Sequence, residues 1–183
     1  MQQAEREAMR IAILAPARTG AALAGRLSAA GHEVVHSDDI CGRARASGAC
    51  EMGLCALASR CDAVITRLEA HAGVQAYDGP CGLLSSHLDG KLVVEMGEVP
   101  TGRASDRAAR VKAAGGAFVE CQVLGTLGEM KAGRMLGFAA GSREDVEKAR
   151  PILDQICARI DYLGEAGTAT AARARLCAPL MCV

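Results

Sequence analysis

RIAILAPARTGAALAGRLSAAGHEVVHSDD, residues 10–39, decides the fold. Ile11, Ala12, Ile13 and Leu14 form a short, unbroken apolar run, the pattern of a strand buried on both faces. From Gly20 the pattern turns helical, with Leu23 and Leu27 four apart on one face and small residues between them. Gly31 reads as the stop, because glycine past a helix end takes the left-handed conformation without a Cβ clash. Glu33, Val34, Val35 and His36 then make a second strand. The unit is strand, tight turn, helix, strand, and it ends on two acids, Asp38 and Asp39.

In such units the first turn is where a dinucleotide docks. Its fingerprint, G-x-G-x-x-G, uses one glycine for the tight turn, one for close approach of the pyrophosphate and one for helix–strand packing. Those places hold Ala15, Ala17 and Gly20, with Arg18 and Thr19 between the last two. Only the packing glycine is kept. A Cβ on Ala17 points at the place where a pyrophosphate would lie against the helix N-terminus, so binding is expected to be weakened rather than abolished. A plain turn with no ligand is the alternative.

The 183 residues suffice for one domain with a real core and hardly for two. Lys plus Arg balance Asp plus Glu at 21 each, which gives no footprint for nucleic acid or an anionic membrane. No apolar run approaches the ~20 residues of a membrane span. The charged start, MQQAEREAMR, argues against a signal peptide and for a cytoplasmic protein. Nine cysteines show no C-x-x-C pair and no histidine at zinc spacing, so they read as reduced thiols and no metal site is expected. Two Tyr, two Phe and no Trp leave nothing for a base-stacking platform.

Further along, strands and helices keep alternating. Residues 40–53 suggest a helix and a turn, with the next helix starting around 54–59. Strands are expected at 62–66, 91–95, 117–121, 135–140 and 159–163, and helices at 69–77, 101–114 (capped by Thr101), 143–156 (capped by Ser142) and from 168 on. Such alternation implies an α/β fold: a doubly wound, mostly parallel sheet with helices on both faces.

Several segments in this order resemble one family. RIAILAPARTGAALAGRLSAAGHEVV, DAVITRL, GKLVVEMGEVP, AARVKAAGGAFVE, KAGRMLGFAAG, SREDVEKARPIL and LGEAGTATAARARL are similar to the N-terminal, NAD(P)-binding domain of the β-hydroxyacid dehydrogenases, the group of 3-hydroxyisobutyrate and 6-phosphogluconate dehydrogenase. The resemblance implies a Rossmann-type domain over residues 1–166, with 167–183 opening the helix that in the family leads to an all-helical second domain.

It also implies roles, position by position. Asp38 and Asp39 stand where the family chooses its cofactor; a carboxylate there accepts from a ribose 2′-hydroxyl and repels a 2′-phosphate, favouring NAD over NADP. An acidic helix N-terminus is the other reading of the pair. Arg67 and Leu68 follow the third strand where the family lines its cofactor, and Glu69 replaces a proline. Gly97 and Glu98 replace small hydroxyl residues. The family's substrate-carboxylate stretch falls on Glu120 to Thr126, putting Leu124, Gly125 and Thr126 at the serine and glycine places. The catalytic lysine falls on Arg173, a poor proton shuttle that can still grip a carboxylate, and an asparagine falls on Cys177.

The expected function is therefore a dehydrogenase-like NAD(P)-binding domain with little or no hydride transfer of its own. Two alternatives stand beside it. One is different chemistry on the same scaffold, using Glu69, Glu98, Glu120 or Cys121. The other is a non-enzymatic module whose apolar end, APLMCV, is covered by a second copy or a partner chain.

Overall fold

Strand β1 (Arg10–Leu14) pairs in parallel with β2 (Glu33–Ser37) on one side and β5 (Ala63–Thr66) on the other. Its side chains divide between two cores: Ile11 and Ile13 enter one, Ala12 and Leu14 the other, all buried. The chain steps from β1 out to β2 and later returns across β1 to β5. The sheet order reverses between these strands, and open α/β sheets place their ligand crevice at that reversal, beyond the C-terminal strand ends.

This computed structural model describes residues 8–37, 44–45, 51–52, 54–100 and 102–177. After β5 come β6 (Leu92–Glu95), β7 (Ala117–Leu124), β8 (Met135–Gly141) and β9 (Cys157–Tyr162), giving a seven-stranded sheet of order β2-β1-β5-β6-β7-β8-β9. Every pair is parallel except β7 with β8. Helices α1 (Ala17–Ala29) and α6 (Arg143–Ile156) bury Leu23, Leu27, Ile152 and Ile156 in the Ile11 core. Helices α2 (Leu54–Ser59), α3 (Ala70–Asp78) and α4 (Arg103–Ala113) bury Leu57, Tyr77 and Val111 in the Leu14 core. The doubly wound α/β fold is as the alternation implied. No helix among the described residues is long and apolar enough to cross a membrane.

Local signals hold in several places. Gly31 takes φ +96° just past α1. Ser142 accepts from the Asp145 N–H at 3.2 Å and starts α6, whose Glu144 and Lys148 pair at 2.8 Å. Others do not hold. Where a helix was expected after Asp39, two short strands, β3 (Ala44–Arg45) and β4 (Glu51–Met52), pair antiparallel. The remaining residues of 38–53 lie outside the described residues. The cap residue of α4 is Gly102, with φ +84°, and Thr101 lies outside the described residues. The short helix α5 (Leu127–Lys131) had no counterpart in the sequence reading, because five residues carry no periodicity.

Candidate functional site at the C-terminal strand ends

The turn after β1 is tied to β2. The Ala15 N–H donates to the Ser37 carbonyl at 3.2 Å, and Nε2 of His36 lies 3.0 Å from the Ala15 carbonyl oxygen. Gly20 is needed because the His36 ring fills the space where a Cβ would stand, and φ at Gly20 is not positive. Pro16 occupies the cap of α1, with no side-chain cap and no acid in the first turn. The first helical bond runs from the Gly20 N–H to the Pro16 carbonyl, so the N–H groups of Ala17, Arg18 and Thr19 stand ahead of the ladder with the positive end of the helix behind them. Ala17 and Arg18 are exposed; Ala15 and Gly20 are buried.

Beside this turn lies a cavity of about 190 Å³. Its walls come from four elements: Pro16 and Thr19 of the turn and α1; Arg67, Leu68 and Glu69 after β5; Met96, Gly97 and Glu98 after β6; and Arg173 of α7 (Thr168–Cys177). The two strand ends close on each other, the Glu98 N–H donating to the Leu68 carbonyl at 2.9 Å. Any Cβ on Gly97 would meet Leu68 backbone, its nitrogen at 2.7 Å, which is why no hydroxyl residue stands there. Arg67 donates to the Met96 carbonyl at 3.2 Å. Burial, followed by the neighbouring Arg173 charge, pulls the Arg67 guanidinium below its ordinary range.

Helix α7 is fastened to β7. The odd residues Val119, Cys121 and Val123 enter the α1 and α6 core, while Glu120 and Gln122 alternate with them and face α7. The fully buried Glu120 carboxylate accepts the Gly167 N–H at 2.7 Å, the Thr170 N–H at 2.8 Å and the Thr170 hydroxyl. Gln122 donates to the Gly97 carbonyl at 2.9 Å and accepts from Arg173 at 3.0 Å, which holds that guanidinium at the cavity.

Under the β6 wall sits a buried ion pair. Arg107 donates to Glu95 at 2.6 Å, and both side chains are almost wholly enclosed. Arg107 also stacks 4.4 Å from the Tyr77 ring centroid, and Glu95 accepts the Gly97 N–H at 2.9 Å. The Tyr77 hydroxyl meets Thr66 at 3.2 Å. Burial pushes the Glu95 carboxyl up, against the opposing pull of Arg107. The network fixes the end of β6, on which Gly97 and Glu98 are carried.

Of the residues singled out from sequence, the cavity gathers Thr19, Arg67, Leu68 and Arg173, with Glu69 and Glu98 exposed at its rim. Leu124, Gly125 and Thr126 are not in its lining. Thr126 is engaged with Glu129 in a capping box that starts α5. Asp38 and Asp39 lie outside the described residues, and so does the side chain of Cys177. Cys121 is fully buried, and its hydrogen bond to Cys157 followed by burial pushes its thiol well up. The Glu120 carboxylate is engaged in anchoring α7. Gln122, Glu95 and Arg107 were missed. The alternation Val-Glu-Cys-Gln-Val from 119 to 123 and the Ala104, Arg107, Val111 spacing on one helix face were the signals that could have found them.

The profile of the NAD binding domain of 6-phosphogluconate dehydrogenase matches residues 10–164. The chain belongs to this family. It is the NAD(P)-binding domain of the β-hydroxyacid dehydrogenase group, and relatives of known structure agree in fold. A 3-hydroxyisobutyrate dehydrogenase from Mycobacterium tuberculosis, solved with L-serine, superposes with a TM-score of 0.78 at 22% identity, covering 95% of this chain and 60% of that one. Mouse mitochondrial 3-hydroxyisobutyrate dehydrogenase is 24% identical over 118 residues, 64% of this chain and 35% of its own. The cytokine-like nuclear factor N-PAC of Aedes aegypti is 34% identical over 92 residues, half of this chain and 16% of its own. The chain thus spans less than two thirds of the length of each of these relatives.

Proposed function

We propose that this domain holds an NAD-type dinucleotide across the α1 turn and carries out little or no hydride transfer by itself. The observation that supports this reading is the placement of Arg173, at the family's lysine position, in one cavity with Thr19 and Arg67. The residues fit the phosphate half of such a ligand: the first turn of α1 has no acid, Arg67 adds positive charge, and the Ala17 side chain is exposed rather than packed. The bound nicotinamide would supply the hydride-exchanging group. The N–H groups of Ala17, Arg18 and Thr19 would orient the phosphates, with Ala15 and Gly20 shaping the turn and Leu68 closing its apolar wall. Arg173 would hold an anionic group with its planar guanidinium fork, and is a poor proton shuttle where the family has lysine. Asp38 and Asp39 would select NAD over NADP by accepting from the ribose. Leu124, Gly125 and Thr126, the family's substrate-carboxylate places, offer a poor grip because Leu124 has no side-chain donor.

Titration with NADH and NADPH, read by fluorescence and thermal shift, tests the first half. Micromolar NADH binding with weaker NADPH is expected, and no binding of NADH at millimolar concentration would overturn it. Incubation with NAD and short 3-hydroxy acids tests the second, where steady turnover would be the contrary result. A second reading, an interaction module, is favoured by the similarity to a protein named as a nuclear factor and by half-exposed Leu176 on α7. A monomeric solution mass would weigh against self-association.

A further inference from the structure

We propose that Arg67 and Arg173 together form a subsite for a compact oxyanion carrying two negative charges, seated at the N-terminus of α1. Arg67 and Arg173 line the same cavity of about 190 Å³, room for a phosphate or a short dicarboxylate. Neither has the close carboxylate partner that Arg107 and Arg110 have. Arg107, a short way behind, has Glu95 at 2.6 Å, and Arg110 has Asp78 at 2.5 Å. Among the described residues the Arg67 side chain hydrogen-bonds to a neutral carbonyl, that of Met96, and no carboxylate lies within ion-pair reach of it, Glu98 acting on it only at longer range. Arg173 makes its short bond to the neutral amide of Gln122. Its nearest acid, Glu98, stands 3.7 Å away with its side chain 66% exposed, a pair that water screens.

Both cations are also held in place. Gln122 is itself tied to the Gly97 carbonyl, so Arg173 is aimed by a chain of two hydrogen bonds that starts on the sheet. The Met96 carbonyl does the same for Arg67. The like charges repel, and the burial of Arg67 removes water that would relieve the repulsion. An oxyanion between them would receive paired N–H donors from planar forks and add the N–H groups at the start of α1. Glu69 and Glu98 at the rim favour a ligand that fits inside the cavity over a bulkier anion resting across its mouth.

The subsite rests on the arginine pair and not on dinucleotide binding, so the two readings can fail separately. The whole chain, wild type and with Arg67→Met or Arg173→Gln, is titrated with inorganic phosphate and with malonate at constant ionic strength set by chloride. Calorimetry and thermal shift provide the readouts, and circular dichroism verifies that each variant is folded. Saturable binding of either anion by the wild type, weakened at least about tenfold in each variant, is expected. Arg67→Lys, which keeps the charge and loses the fork, should give an intermediate affinity. Repeating the titration with NADH present identifies the source of the anion. Competition means that the subsite takes the dinucleotide's own phosphates, and independent binding means a separate small acid. No saturable binding beyond the chloride control, or equal binding by all variants, overturns the subsite whatever NADH does. Loss of NADH binding with phosphate binding intact overturns only the cofactor reading.

Discussion

The imidazole of His36 occupies the space into which a side chain on Gly20 would project, and its Nε2 sits 3.0 Å from the Ala15 carbonyl oxygen. One residue of β2 thus both braces the turn and dictates glycine at the helix start. Gly20→Ala must expel the ring and lose that bond, at a cost of about 1–3 kcal/mol. In the His36→Ala background the same change should cost much less, and a double-mutant cycle from urea melts measures the difference. Additive effects would show that the ring is not the obstacle.

Glu120 anchors α7 by accepting from Gly167 and Thr170 inside the protein. Glu120→Gln turns one acceptor atom into a donor facing donors, which should destabilise the anchor by about 1–3 kcal/mol. Amide exchange over Thr168–Cys177 should quicken while the β1 and β5 amides stay protected. Equal exchange in both proteins would refute the anchor.

Arg107→Met strands the Glu95 carboxylate in the core, and a loss of about 3–5 kcal/mol is expected. Glu95→Leu combined with Arg107→Met removes both charges and should be milder than the single change. Denaturation midpoints at unchanged m-value decide this.

Accepting hydrogen bonds from the Thr126 N–H and then from its hydroxyl holds the Glu129 carboxyl below its ordinary value of 4.5. A carboxyl lowered in the folded state adds stability above its unfolded pKa, and that contribution fades as pH falls through the folded one. Glu129→Gln preserves the cap but cannot titrate. The melting-temperature gap between wild type and this variant should therefore be largest near neutrality and shrink as pH drops below 4.5. A gap constant with pH would remove the titration argument.

Among the described cysteines, Cys81 is exposed, whereas Cys61, Cys121 and Cys157 are buried. Brief alkylation of the native protein, read by peptide mass, should modify Cys81 and spare Cys121 until denaturant is added. Early modification of Cys121 would contradict its burial.

The sheet was legible because its signals are local: the Ile11–Leu14 run, Gly31 past α1 and Ser142 before α6 each act within a few residues. The cavity was half legible. Thr19, Arg67, Leu68 and Arg173 were found by their places along the family's pattern. Gln122 and Glu95 were not, since their meaning depends on partners 51 and 12 residues away, Arg173 and Arg107. Where a helix was expected after Asp39, Ala44–Arg45 pair with Glu51–Met52 instead, a contact between two segments that no local signal announces.

Helix α7 meets β7 twice, at its first turn through Glu120 and one turn on through Gln122. A stiff rod fastened near one end is a lever with its pivot there. At 1.5 Å of rise per residue, Arg173 lies about 4.5 Å and Leu176 about 9 Å along the axis from Thr170. A tilt of about 10° would carry the Arg173 backbone about 0.8 Å, a displacement large enough to spoil a two-point grip on an anion. The walls made by Arg67 and Gly97 directly follow β5 and β6, strands paired within the sheet. A load on the Leu176 end would therefore reach the Arg173 wall of the cavity first and, through Gln122, the Gly97 wall after it.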